Sequence, residues 1–316
     1  MYQHTVYRSL EEASAGLNHP VVTIGNFDGV HIGHQAIFQR VRQLADERSV
    51  PAVALTFAPH PVRYFRKDAP PFRLTTNSQK AALIGQYGLD ATVALAFDDE
   101  LAGLTPADFV EQVLVDGLDA TYVVVGEDFA FGKGRAGTTA DLERLCEERG
   151  IETEIAKHVT LDGEPVSSTR VRRELAAAHM EEIVRLLGRP YRILGEVVRG
   201  EQRGRKLGFP TANISPANPL LPPHGVYATT LHVADLPALH SITNVGVRPT
   251  FGASEVTVEC FVLSHGTDEV DLDLYGESVE LDFWKFVREE KKFDSPKDLV
   301  AQIQRDVAEV RRFFKL

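Results

Sequence analysis

Short, continuous apolar runs separated by longer amphipathic stretches fill the first half of the chain. Residues 21–24 (VVTI), 52–57 (AVALTF), 92–97 and 122–125 (YVVV) are apolar at consecutive rather than alternate positions. Between them Ile37, Val41 and Leu44 recur at helical spacing, and 108–118 repeats that period. A strand that is apolar on both faces is buried on both faces. The rhythm therefore predicts an α/β domain: a parallel sheet with helices on either side. Ligands of such sheets bind beyond the carboxyl ends of the strands. An Ala- and Leu-rich stretch, 171–187, predicts a helix that closes this domain, with Gly188 as its stop signal.

The pattern changes near residue 187. Apolar segments become short and close together, at 191–198, 225–233, 241–247, 256–263 and 278–286, with Gly- and Pro-rich turns between them. That spacing predicts an antiparallel barrel or sandwich. A last helix carries Leu299, Ile303, Val307, Val310 and Phe314 on one stripe. The expected organisation is an α/β domain over residues 1–186 and a β-rich domain over 187–316.

Composition narrows the classes of function. With 43% hydrophobic and 25% charged residues, the 316-residue chain has globular values and room for two domains. A net charge of -11 argues against broad binding to nucleic acid or anionic membrane, while leaving a local basic pocket possible. Cys146 and Cys260 lie far apart with no CxxC, so both are expected to be packing thiols. The opening residues show no basic-then-apolar leader, and no apolar stretch approaches the ~20 residues of a membrane span. The expectation is a cytoplasmic monomer or weak homo-oligomer.

Candidate chemistry begins at 25–34, GNFDGVHIGH, which follows a predicted strand and opens a predicted helix. Its glycines let backbone amides approach a ligand, and a helix N-terminus favours phosphate. His31 and His34 are three apart, share one face of the first turn, and can both reach one phosphate. As donors they would stabilise charge on a pentacoordinate phosphorus. Further along, Asp128 follows an apolar strand and either meets a ligand or caps a turn. Phe129 and Phe131 either stack on a ring or pack. Ser168 and Thr169 precede a helix as hydroxyls or as N-caps, and Arg172 offers a permanent cation suited to a triphosphate.

GNFDGVHIGH resembles the HxGH signature of nucleotidyltransferases. TFAPHP (56–61, with His60), GEDFAFG (126–132, continuing to Arg135 and Gly137) and SSTRVR (167–172) resemble three further segments of one branch. Together they are similar to the FMN adenylyltransferase module of prokaryotic bifunctional riboflavin kinase/FAD synthetases, with a Rossmann-like sheet. The resemblance implies that Gly25, Phe27, Gly33, Ser168, Thr169 and Arg172 bind ATP and its phosphates, and that Asp128 and Phe129 meet flavin. Ala58 stands where many relatives carry an acidic residue.

In the second half, GFPTAN (208–213) follows a loop that alternates Gly with Arg and Lys over 199–206. Thr211 and Asn213 are two apart, so in an extended segment they project to one side. Their oxygens suit Mg²⁺, which keeps waters and bridges phosphates, although Pro, Thr and Asn are also ordinary turn residues. Glu259 interrupts an apolar strand, where a carboxylate must face solvent or a site. The stretch 187–213, with LPPHGVYA (221–228), TNVGVRPTFG (243–252) and 274–293, resembles the riboflavin kinase module of the same family, an antiparallel β-barrel with a terminal helix. The resemblance implies Glu259 as catalytic base, Gly208, Thr211 and Asn213 at Mg-ATP, and Arg248 and Arg288 near flavin. It implies ATP as co-substrate, Mg²⁺ as cofactor, and riboflavin and FMN as the other substrates, with no nucleic acid and no membrane.

Overall fold

A computed structural model of the protein describes residues 4–200, 208–250, 253–263 and 274–316; the side chains of 248–250 and 253–255 are not among those described. The chain separates into two compact units, Met1–Ser168 and Thr169–Leu316.

The first unit follows the apolar runs. Its strands are β1 (Thr5–Tyr7), β2 (Val21–Ile24), β3 (Ala52–Ala58), β4 (Ala91–Ala96), β5 (Tyr122–Gly126) and β6 (Glu152–Ala156). They form one sheet in the order β1-β4-β3-β2-β5-β6, and every neighbouring pair is parallel. Helices α1 (Leu10–Gly16), α2 (Ile32–Arg48), α3 (Pro61–Phe65), α4 (Asn77–Gln86), α5 (Asp99–Gly103), α6 (Pro106–Phe109) and α7 (Thr139–Glu147) connect them. The helix expected over 108–118 is α6 running on into a π-helical turn at Val110–Val115. Two apolar clusters result, because the four central strands β2 to β5 bury side chains on both faces. Val22, Val53, Leu55, Val93 and Val123 face one cluster; Val21, Ala52, Ala54 and Val124 face the other, with Phe38, Val41 and Leu44 of α2.

Strand order decides where a ligand can sit. From β2 the chain winds outward through β3 to β4, then crosses back to β5 on the other side of β2. The loops leaving β2 and β5 therefore diverge and open a crevice between them. A short hairpin, β7 (Thr160–Leu161) with β8 (Glu164–Pro165), precedes the chain's crossing into the second unit.

The helix expected over 171–187 is two helices, α8 (Ser168–Ala176) and α9 (Met180–Leu187). Ala178 between them takes a left-handed conformation with φ 56°. The apolar stripe slips there: Val171 and Leu175 are buried on α8, but burial restarts at Met180 and Ile183. One continuous helix would turn these two sets to different faces.

The second unit is a closed antiparallel barrel. Strands β9 (Tyr191–Val198), β10 (Ala212–Pro216), β11 (Gly225–Val233), β12 (Leu239–Thr250), β13 (Ala253–Val262) and β14 (Ser278–Arg288) close in the order β10-β13-β12-β11-β14-β9. Inside, Thr229, Ser241 and Thr243 are fully buried and satisfy one another, with Thr229 Oγ1 2.8 Å from Ser241 Oγ and 2.7 Å from Thr243 Oγ1. Cys260 joins them, and burial pushes its thiol up. Cys146, buried in the first unit, is pushed up to about 11 for the same reason. Both thiols are protonated packing groups at neutral pH. Helix α10 (Pro296–Phe314) lies on the outer face of the barrel, where Val307, Val310 and Phe314 pack with Val226, Ala228 and Ile242. Among the described residues no helix is long and apolar enough to cross a membrane.

Candidate active sites

The loop from β2 to α2 lies at the divergence of the sheet. Gly25 donates to the Leu55 carbonyl at 3.0 Å as it leaves β2. Phe27 and Val30 take positive φ values of 48° and 43°, so the backbone turns sharply with side chains in place. Phe27 itself is buried and supports the loop from below, its ring edge-on to Phe38 at 5.0 Å and to His34 at 5.2 Å. His31 caps α2: its Nδ1 accepts the His34 amide at 3.3 Å. The His31 and His34 rings stack with centroids 3.6 Å apart, so one turn presents both imidazoles together. A side chain on Gly33 would crowd the His31 ring, at 3.1 Å.

Other segments hold the loop in place. The Asp28 carboxylate is buried and accepts the Leu74 amide at 3.0 and 3.1 Å and the Thr75 amide at 3.2 Å. Ser168 Oγ donates to the Asp28 carbonyl at 2.9 Å. Lys80 of α4 reaches from behind, donating to the Asn26 carbonyl and to Thr56 Oγ1. Neither Asp28 nor Lys80 figured among the site residues expected from sequence. The available signal for Lys80 was its place on the buried stripe of α4, four residues before the buried Ile84.

Asp128 is exposed two residues past β5, beside β2 in the sheet, so its segment borders the same crevice as Gly25. Phe131 is buried against Phe109 and packs in the core; Phe129 is half-buried and stacks on Phe131 at 5.5 Å. Ala58 is half-buried at the end of β3, ahead of His60, which caps α3 by accepting the Val62 amide. Thr169 is exposed at the start of α8. Arg172, half-buried on the same helix, belongs to the second unit.

The second site is built by register. Glu259 on β13 lies directly opposite Asn213 on β10 and Asn244 on β12. Its neighbours Val258 and Cys260 are buried; Cys260 points into the barrel, so Glu259 points outward. Ile214 is buried inward too, which turns Asn213, and Thr211 two residues before it, to the same outer side. Asn244 Nδ2 donates to Glu290 Oε1 at 3.3 Å. Phe209 packs edge-on against Phe261 at 5.4 Å and ties the Gly208–Thr211 turn to β13; Gly208 itself is exposed with φ 83°. Gly200 lies so close to the Asn213 amide that a Cβ would overlap it. Asn244 was not expected from sequence, although it breaks its apolar strand just as Glu259 does.

Among the described residues no group of three His, Cys, Asp or Glu could hold a metal. Thr211 and Asn213 instead offer neutral hard oxygens, a set that suits a cation keeping water and phosphate oxygens in its shell. Arg288 is held by Asp306 of α10, Nε to Oδ2 at 2.9 Å and Nη2 to Oδ2 at 2.7 Å, with Nη1 on the Glu289 carbonyl. The pair pins α10 to β14. The Arg248 side chain and residues 201–206 of the basic loop lie outside the described residues.

Comparison with known proteins falls on the same two halves. The family model for FAD synthetase matches residues 14–170, and that for riboflavin kinase matches 187–314. A bifunctional riboflavin kinase/FMN adenylyltransferase of Pseudomonas fluorescens is 41% identical over 292 residues, 92% of each chain. The protein of that description from Escherichia coli (strain K12) is 36% identical over 296 residues, 94% of this chain and 93% of the other. A crystal structure described as a macrolide-efflux protein from Streptococcus pneumoniae covers 98% of both chains, with TM-score 0.86 and 27% sequence identity. The chain belongs to the bifunctional riboflavin kinase/FMN adenylyltransferase family.

Proposed function

We propose that this chain makes FAD from riboflavin in two steps, one in each half. The kinase half transfers the γ-phosphoryl group of ATP to the terminal ribityl hydroxyl, giving FMN and ADP. The adenylyltransferase half transfers AMP from a second ATP to FMN, giving FAD and pyrophosphate. Both are in-line displacements at phosphorus, so positioning and charge stabilisation carry the catalysis.

In the kinase half Glu259 accepts the hydroxyl proton as attack develops. Thr211 and Asn213 would hold Mg²⁺, whose charge would offset that of the phosphates, and Gly208 would lie at the Mg-ATP beside them. Arg248 and Arg288 face the flavin, Arg288 being oriented by Asp306. In the adenylyltransferase half His31 and His34 donate to the reacting phosphate from the α2 N-terminus. Gly25, Phe27 and Gly33 shape the loop, Ser168, Thr169 and Arg172 bind the polyphosphate, and Asp128 and Phe129 meet the flavin. The working boundary lies between residues 186 and 187, and the setting is a cytoplasmic monomer or weak homo-oligomer.

The observation that supports this reading is that Glu259 lies directly opposite Asn213, a carboxylate beside an amide on one outer face. The test is product analysis. With riboflavin, ATP and Mg²⁺, chromatography is expected to show FMN appearing first and FAD following. FMN that accumulates with no FAD contradicts the two-step reading.

A further inference from the structure

Lys80 is only 7% exposed, and among the described residues both of its hydrogen-bond acceptors are neutral oxygens. Its Nζ donates to the Asn26 carbonyl at 3.2 Å and to Thr56 Oγ1 at 2.8 Å, while Thr56 Oγ1 donates to the same carbonyl at 3.3 Å. An ammonium is rarely buried without a paired anion, because desolvation disfavours the charge. An apolar side chain of this length would fill the space between α4 and β3 without that cost. Packing alone thus does not account for a cation at this position. The ammonium therefore sits at the base of the 25–34 loop bonded to neutral oxygens, with Asp28 of that loop as the charge that favours it.

We propose that Lys80 is a positioning residue for adenylyl transfer, holding the Asn26 carbonyl and placing a buried positive charge under the loop that receives the ATP polyphosphate. This rests on the phosphate-handling reading of that loop. The lysine acts through the backbone of Asn26 and through its field, with no contact to the reacting atoms. Three elements face it: Asp28 of the loop favours its charged form, Arg73 ahead of α4 opposes it, and β3 contributes only the Thr56 hydroxyl. Burial lowers the ammonium to about 8. The charged form holds the loop at neutral pH, and the hold is released as pH rises through that value.

The experiment uses the full chain with FMN, Mg²⁺ and ATP, and measures kcat and KM for ATP from about pH 6.5 to about pH 9.5. In K80M, KM for ATP is expected to rise about tenfold at neutral pH with a smaller change in kcat. The same variant should phosphorylate riboflavin normally, which reports that the chain is folded. In K80R the guanidinium stays charged, so low KM returns and the alkaline loss of activity moves up by about one pH unit or more. A folded K80M with the parent KM for ATP and the parent alkaline profile overturns the inference. If K80M does not fold, T56V decides: loss of the hydroxyl acceptor should move the alkaline loss to lower pH, and an unmoved profile overturns the inference. The H31A/H34A variant separates the two readings. If it makes FAD normally, the loop does not handle phosphate and the Lys80 inference falls with it. If it is inactive while K80M is unaffected, only Lys80 is excluded.

Discussion

The two halves place chemistry by different means. In the first, the candidate site is a loop beyond the sheet, and its shape depends on hydrogen bonds between the loop and segments distant in sequence. Asp28 ties it to Leu74 and Thr75, Lys80 holds Asn26, and Ser168 holds the Asp28 carbonyl. In the second, Asn213, Glu259 and Asn244 lie in one row across three paired strands, so the ladder itself sets their spacing. A loop site can be displaced by removing one support. A register site keeps its geometry until the ladder breaks.

The largest expected effects come from the reacting groups, and they should be equal in kind. E259A should lower FMN formation by about a thousandfold while FAD is still made from supplied FMN. Because Glu259 is half-buried and outward-facing, its thermal unfolding should stay close to that of the parent. H31A/H34A should do the reverse, lowering FAD synthesis by about a thousandfold with riboflavin phosphorylation intact. A variant that loses both activities would break the comparison. Product chromatography from each substrate reads both.

The supports should differ. D28N removes the charge that accepts the Leu74 and Thr75 amides, and should destabilise the first unit by about 1–3 kcal/mol in urea unfolding. It should also raise KM for ATP in FAD synthesis and move the alkaline loss to lower pH, since Asp28 favours the charged Lys80. The smallest effect is expected at Gly200. G200A pushes the Asn213 amide aside without touching the ladder, so KM for Mg-ATP in the kinase step should rise about fivefold with stability unchanged. Unfolding of G200A would show that the barrel site, too, depends on a loop.

How much was legible in the sequence follows the same division. The four central strands announce themselves as consecutive apolar residues, because burial on both faces leaves no room for alternation; the edge strands β1 and β6 are exposed or half-buried and carry no such run. The outward side of Glu259 was legible from Val258 and Cys260 on either side of it. The barrel's sixth strand, β10, was legible only as an extended segment, being short and interrupted by Asn213 and Ser215. Lys80 and Asp28 escaped because the side-chain hydrogen bonds named for them span 24 to 54 residues of sequence, a distance no local period encodes. The break at Ala178 escaped because a left-handed alanine leaves no mark in an Ala-rich helix. Arg288 read as a surface or ligand-facing cation, and only the folded chain shows Asp306 waiting for it on α10.

The central claim is that each half holds one whole chemical site. The direct test mixes the two single-activity variants, E259A and H31A/H34A, in one tube with riboflavin, ATP and Mg²⁺, and follows products by chromatography. Alone, E259A should make neither FMN nor FAD, and H31A/H34A should stop at FMN. Together they should carry riboflavin through to FAD. A mixture in which FMN accumulates and no FAD forms would contradict the account.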